Sequence, residues 1–361
     1  MHAIFYSPFV GADEVAPSGA AQMAGLFTRA LRGAGVELSR PALPLTYDGQ
    51  GDANRQDHAK AESQRACELL LKAIADGEIP KPDFWFSYHV YYKSPDWIGP
   101  VIARQLSIPY LVAEGSHAPK RRDGPWSIAH EATCDALGSA TRLLAMTAFD
   151  RVCLEWINPG RVREFRPFID AVPFTNLERA PEGSTLRLLS VAMMRNERKR
   201  DSFRLLAEAL RHCTGLDYRL QIAGDGKFRS EIETYFHGLP VSFLGVVAKS
   251  ELPRLFAASD VLAWPGIGEA YGLAYLEAQA AGLPVVACKE RGVVDVTLEG
   301  GTALLSATDD AMAIAQSIRQ LAMQPSLRCS MGKRAREFVV DERSLPVAAS
   351  RLIDLLREIL P

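Results

Sequence analysis

Two α/β domains in tandem, each built on a mainly parallel sheet, are what the sequence predicts. Three observations carry this expectation. At 361 residues the chain is longer than one hydrophobic core usually serves. Short apolar runs alternate with segments of helical periodicity through both halves. Between the two alternating sets, residues 167–183 hold Pro167, Pro173, Pro181 and Gly183, a composition that breaks the rhythm and reads as a linker.

Each element has its own signal. Residues 3–6 form a first apolar strand. Met23, Leu26, Phe27, Ala30 and Leu31 recur at helical spacing over Gly19–Gly33, and Gly33-Ala34-Gly35 closes that helix. A strand over 36–39, a Gly- and Asp-rich loop over 47–54 and an amphipathic helix over 57–75 follow. Pro80-Lys81-Pro82-Asp83 leads into a buried strand, Phe84–Tyr88. The set continues with a helix over 97–106, a strand over Tyr110–Ala113, a helix over 128–140 and a strand over Arg142–Ala145. The second set predicts strands over 186–192, 218–223, 241–244, 261–264 and 285–287. Helices over 201–212, 229–236 and 249–257, one carrying Glu277, and one over 311–323 alternate with them. An amphipathic helix over 345–360 ends the chain. The division is therefore a first Rossmann-like domain over 1–175, a second over 176–344, and a terminal helix (345–361) that returns to the first. In such folds ligands bind beyond the carboxyl ends of the strands.

Bulk properties narrow the function. A hydrophobic share of 48% and a charged share of 23% are those of an ordinary globular chain. A net charge of −2 gives no global field for nucleic acid. The six cysteines form no C-x-x-C pair, which argues for reduced, mostly buried thiols and against a zinc site or a disulfide framework. No basic, apolar leader and no apolar run of about 18 residues is present, so the cytoplasm is the expected compartment.

Three predicted strand ends in the second half carry chemistry. The first is followed by Met193-Met194-Arg195-Asn196-Glu197-Arg198-Lys199-Arg200, read as a loop with four cations in six positions. Arg as a rigid fork and Lys as a point charge suit a diphosphate. The second is followed by Gly224-Asp225-Gly226, which is no dinucleotide fingerprint because Arg229 stands where the third glycine would be. The third is followed by Pro265-Gly266-Ile267-Gly268-Glu269 and then Ala270-Tyr271-Gly272-Leu273-Ala274-Tyr275-Leu276-Glu277. Gly272 permits close backbone approach, and the first N–H groups of a helix lack internal partners and favour anions. Singly, these are a solvated basic loop, a tight turn and a helix with two surface glutamates. Together, on one face, they describe a nucleotide-sugar site.

At these residues the chain resembles the retaining nucleotide-sugar glycosyltransferases of the GT-B fold, family four. The resemblance is carried by Ile222 through Gly226, Phe243-Leu244-Gly245, Leu255 through Asp260, Glu269 through Leu273, Glu277 through Val286, and Gly292-Val293. It implies two Rossmann-like domains with a cleft between them. It also implies a donor that is a UDP-, GDP- or ADP-sugar and an acceptor that is a saccharide or is lipid-linked. No cofactor or metal is implied, and peripheral contact with the inner face of a membrane is compatible with it.

Roles follow from the resemblance. Glu277 grips the ribose and Glu269 the sugar. Backbone N–H groups at Gly272, Leu273 and Ala274 hold the distal phosphate. Arg195 and Lys199 neutralise the leaving diphosphate, with Arg200 an alternative because Met193-Met194 departs from the usual Gly-Arg pair. Gly224, Gly226 and Val246 line the nucleotide. In the first domain, Ser18-Gly19 resembles the loop that approaches donor phosphate and acceptor, although Ser18 also reads as a simple N-cap. Glu114, His117 and His89 stand at strand ends on the sugar or acceptor side. An epimerase, a phosphorylase, a non-catalytic sugar binder and an NAD enzyme are the competing readings.

Overall fold

The computed structural model describes residues 1–10, 19–181, 183–195 and 197–360. It forms two compact units, Met1–Arg166 with Leu345–Pro361, and Pro167–Ser344.

The first unit runs β1 His2–Tyr6, α1 Gly19–Gly33, β2 Glu37–Ser39, α2 Ala53–Ala75, β3 Phe84–Tyr88, α3 Gly99–Leu106, β4 Tyr110–Ala113, α4 Ser127–Ser139, β5 Arg142–Ala145, α5 Ala148–Ile157 and β6 Val162–Glu164. Its six strands lie in the order β2-β1-β3-β4-β5-β6, all parallel. Central parallel strands are covered on both faces, which is why β3 reads Phe-Trp-Phe-Ser-Tyr and is buried at every position. Its one polar side chain, Ser87, donates to buried Asp96 at 2.5 Å. Asp96 also accepts from Tyr110 Oη at 2.8 Å and from the backbone N–H groups of Ile98 and Gly99, which fixes the start of α3.

The second unit runs α6 Val172–Thr175, β7 Leu186–Val191, α7 Glu197–Arg211, β8 Tyr218–Ala223, α8 Arg229–Tyr235, β9 Val241–Gly245, α9 Leu252–Ala257, β10 Val261–Ala263, α10 Leu273–Ala280, β11 Val285–Cys288, β12 Ala303–Ser306, α11 Ala311–Met323 and α12 Pro325–Glu342. Its parallel sheet has the order β12-β11-β10-β7-β8-β9. Strand order therefore turns outward from β7, which sits beside β10 and β8. The last helix, α13 Leu345–Ile359, packs on α1, where Ala349 Cβ comes within 3.3 Å of the position a Gly33 Cβ would take.

Four corrections to the sequence expectation concern elements. Residues 192–200 are not one loop, because α7 begins at Glu197 and puts Lys199 and Arg200 in its first turn. Helix α6, in the stretch read as a linker, was not expected; it places Phe174 edge-on to Phe256 at 5.7 Å. Helix α5 and strand β6 were not expected, and neither were β12 and α12. Among the described residues no helix is long and apolar enough to cross a membrane.

Candidate active site

The carboxyl ends of β7, β8 and β10 meet in the second unit. Gly224 and Gly226, after β8, have φ of 141° and 156°. A Cβ on either would run into the backbone of Ala192 or Met194. Met194 N donates to Asp225 O at 2.9 Å and Gly224 N to Gly245 O at 2.7 Å. Backbone-to-backbone packing thus explains both glycines, and it holds the segment that feeds α7. Val246, just after β9, is 69% exposed.

The first turn of α7 carries Arg198, Lys199 and Arg200. Cations there oppose the helix dipole, so helix stability does not account for them. They add to the positive end of the dipole and concentrate attraction for an anion. Lys199 Nζ is ion-paired with the Glu269 carboxylate across 70 residues of sequence. The same ammonium stands 5.3 Å from the centroid of the Trp264 ring. Trp264 Nε1 donates to Glu269 Oε1 at 3.1 Å, and Tyr275 Oη donates to Trp264 O at 3.0 Å. Ser202 Oγ accepts from Ile267 N at 2.9 Å and ties α7 to the loop after β10. Burial pushes the Lys199 ammonium down to about 8.

The other cations go elsewhere. Arg200 faces Glu231 at 3.8 Å and lies 5.5 Å from the Phe228 ring, so it turns toward α8 and away from Glu269. Arg198 lies along the Gly268 turn, whose φ is 67°. Arg195 is exposed and has no ion-pair partner among the described residues.

Helix α10 starts at Gly272, whose φ of 66° makes a left-handed N-cap. Leu273 and Ala274 form its first turn, where backbone N–H groups have no intrahelical acceptor. Glu277 lies one turn further and is only 6% exposed. A surface-helix reading of the two glutamates fails on that burial, since a carboxylate in a solvated face would stay in water.

In the first unit, His89 follows β3 and Glu114 follows β4. Both are non-glycine residues with positive φ, 65° and 55°, a conformation that strained functional positions adopt. His89 Nδ1 lies 3.1 Å from Glu114 Oε1, within ion-pair reach but off the line of a hydrogen bond. Phe9 and Tyr91 rings flank His89 at 4.9 and 4.8 Å. Asp150, at the start of α5, joins this group electrostatically; burial raises its carboxyl, and Glu114 raises it further. His117 is not part of it: its ring is 5.8 Å from that of His130. Gly19 opens α1, and among the described residues nothing lies within 4 Å of the space a Cβ would fill. Ser18 lies outside the described residues.

Sequence reasoning missed Trp264 as the second support of Glu269, and it missed Asp150. For Asp150 a signal existed: Thr147-Ala148-Phe149-Asp150 is a capping pattern, and Thr147 Oγ1 accepts from Asp150 N at 3.0 Å.

Residues 185–324 match the family model described as Glycosyl transferases group 1. Sulfoquinovosyl transferase SQD2 of Arabidopsis thaliana is 35% identical over 122 residues, covering 33% of this chain and 24% of that protein. The GDP-mannose-dependent alpha-(1-6)-phosphatidylinositol dimannoside mannosyltransferase of Mycobacterium tuberculosis is 34% identical over 146 residues, covering 39% and 36%. The chain thus spans between 24% and 36% of the length of these curated relatives. The structure of Anabaena Alr3699/HepE in complex with UDP is similar with a TM-score of 0.73, at 15% identity, over 99% of this chain and 100% of that one. That likeness shows the fold, which is the two-domain GT-B type.

Proposed function

We propose, from the premise that the segment 185–324 belongs to the glycosyl transferases group 1 family, that this chain is a retaining glycosyltransferase. It moves a hexose from a nucleoside diphosphate sugar to an acceptor hydroxyl. The observation that carries the reading is the Lys199–Glu269 ion pair, braced by Trp264 where three strand ends meet. An ammonium there is placed to stabilise negative charge that grows on a leaving diphosphate. Arg195 supplies a second cation. The first N–H groups of α10, at Leu273 and Ala274 beside Gly272, take the distal phosphate, and Glu277 takes the ribose hydroxyls.

In this reading the diphosphate competes with Glu269 for Lys199. As it binds, Glu269 turns its acceptor oxygens to the sugar hydroxyls. The anomeric carbon–phosphate oxygen bond breaks and the bond to the acceptor oxygen forms on the same face. The acceptor proton passes to the departing phosphate oxygen. No protein nucleophile is required, and cations with a helix N-terminus do the work of a divalent ion. The relatives named above support the class: one is described as GDP-mannose-dependent, and the structural neighbour holds UDP.

Acceptor contact belongs to the first unit, at His89, Glu114 and the flanking rings. An acceptor held at a membrane surface has one specific support. Phe149, Val152 and Trp156, at helical spacing on α5, are 49%, 71% and 76% exposed. This reading places the protein in the cytoplasm, at the inner face of a membrane.

The test is release of free nucleotide from UDP-, GDP- and ADP-sugars, with a panel of saccharide and lipid-linked acceptors and without added Mg²⁺ or Mn²⁺. Acceptor-dependent turnover with one donor is expected, and product NMR should show the donor's anomeric configuration. Saturable binding without turnover would establish a non-catalytic binder instead. Isomerised sugar formed without acceptor would establish an epimerase.

A further inference from the structure

We propose that His117, His130 and Cys134 form a binding site for a borderline-soft divalent cation of the zinc class, apart from the residues assigned to sugar transfer. The ligand atoms of the three all lie within 4.8 Å of one another. His130 and Cys134 are four residues apart on α4, so they share one face of the helix. Cys134 Sγ is 3.7 Å from His130 Nδ1 and 3.8 Å from its Nε2. His117 reaches the pair from the segment between β4 and α4.

The dimensions fit. Zinc with nitrogen at about 2.0–2.1 Å and sulfur at about 2.3 Å in a tetrahedron needs ligand atoms roughly 3.4–3.6 Å apart. The His130–Cys134 edge, at 3.7 Å, is already close to that length. The longest edge has to close by on the order of an ångström, which side-chain torsions supply.

Both imidazoles are also oriented as ligands. The backbone of Cys153 faces the His117 ring, and that of Ala118 faces the His130 ring. A ring N–H given to a backbone carbonyl fixes the tautomer and leaves the other nitrogen as a lone pair. In His117, Nδ1 is buried and has no hydrogen-bond partner among the described residues. Such an atom costs free energy unless something occupies it. The Cys134 thiolate forms as the ion binds, and its proton leaves to water.

Charges of both signs face the cluster: Arg122 opposes a cation at all three groups, Asp123 favours one at His130, and Asp135 and Glu131 favour one at Cys134. The donor set is nitrogen and sulfur, which selects zinc over Mg²⁺ or Ca²⁺. Three protein ligands leave the fourth position to water. Bound there, the ion ties residue 117 to α4. It clips the segment that begins at Glu114 and so helps hold Glu114 opposite His89.

The test uses the full chain, free of any affinity tag and stripped of metal. Zn²⁺ alone is titrated against a chromophoric chelator, and Co²⁺ substitution is followed by its thiolate-to-cobalt charge-transfer band. One equivalent of Zn²⁺ and a charge-transfer band are expected in the native protein. His117→Gln and Cys134→Ser should each weaken Zn²⁺ binding by at least about 10–100-fold, and Cys134→Ser should abolish the band. Mg²⁺ should leave the melting temperature unchanged. His58→Gln, at an exposed histidine, should bind Zn²⁺ as the native chain does. If Cys134→Ser fails to fold without metal, His117→Gln carries the test alone. Zn²⁺ binding that is absent, or equally strong in His117→Gln and the native chain, overturns the proposal.

Discussion

The two sheets end in different chemistry. Beyond the strands of the second unit stand glycines, a first-turn lysine and two carboxylates, one of them in an ion pair that joins α7 to the loop after β10. Beyond the strands of the first unit stand aromatic rings, Phe9, Tyr91 and Tyr92 among them, around a His89–Glu114 pair held on left-handed backbone. Cations at a helix start recognise phosphate; rings beside a histidine and a carboxylate suit hydroxyl-bearing surfaces. In the proposed reading, the difference teaches how one fold, used twice, is given a donor end and an acceptor end by the residues that stand beyond its strands.

The sharpest way to break that contrast is to remove the second unit's cation. Lys199→Ala should lower kcat/KM for the nucleotide sugar by on the order of 10²–10³-fold, measured as nucleotide release. Glu269→Ala should cost a similar amount, and the double variant should cost little more than either alone. Fully additive losses would mean that the two act separately. Next in size is the backbone framework. Gly226→Ala should destabilise the protein by about 2–3 kcal/mol in a denaturant titration, because its φ of 156° and the Met194 backbone admit no Cβ.

Smaller effects sharpen the comparison. His89→Gln should raise the acceptor KM about tenfold while leaving nucleotide affinity unchanged; a matching loss of nucleotide affinity would erase the division of labour. The pH profile is a further check. Lys199 acts as a cation and its ammonium is held at about 8 by burial. Its charge is therefore complete well below that pH and lost as pH rises through it. In the free enzyme kcat/KM should fall above about pH 8, and Lys199→Arg, whose charge persists, should move that limb upward. The least effect is expected of Trp264→Phe, which removes one hydrogen bond to Glu269 and should cost about 1 kcal/mol of transition-state stabilisation.

Much of the fold was legible because buried parallel strands announce themselves. Phe84–Tyr88 is a continuous run of aromatic residues broken only by Ser87, and Tyr218–Ala223 alternates buried Tyr218, Leu220 and Ile222 with Arg219 and Gln221; both form strands over those residues. Helix α5 was missed for the opposite reason. Its apolar residues Phe149, Val152 and Trp156 face out and Leu154 is its buried residue, so its pattern does not describe a core-facing helix. Helix α12 hides its contact in small residues: the backbone of Gly332 sits against Gly282 O, where no side chain fits. In the site, the loaded strand ends could be read from composition. The Lys199–Glu269 pairing could not, since it depends on β7 and β10 lying side by side. Nor could the left-handed backbone at His89 and Glu114, which neither residue type advertises. The linear distance between His117 and His130 likewise concealed their meeting beside Cys134.

The central claim is that the strand ends of the second unit hold the diphosphate of a nucleotide sugar through Lys199. Calorimetric titration of UDP-, GDP- and ADP-sugars into the native chain, Lys199→Ala and His89→Gln tests it most directly. The account predicts that one donor binds the native chain and His89→Gln alike, and binds Lys199→Ala at least about tenfold more weakly. A donor that binds Lys199→Ala as tightly as the native chain would contradict it.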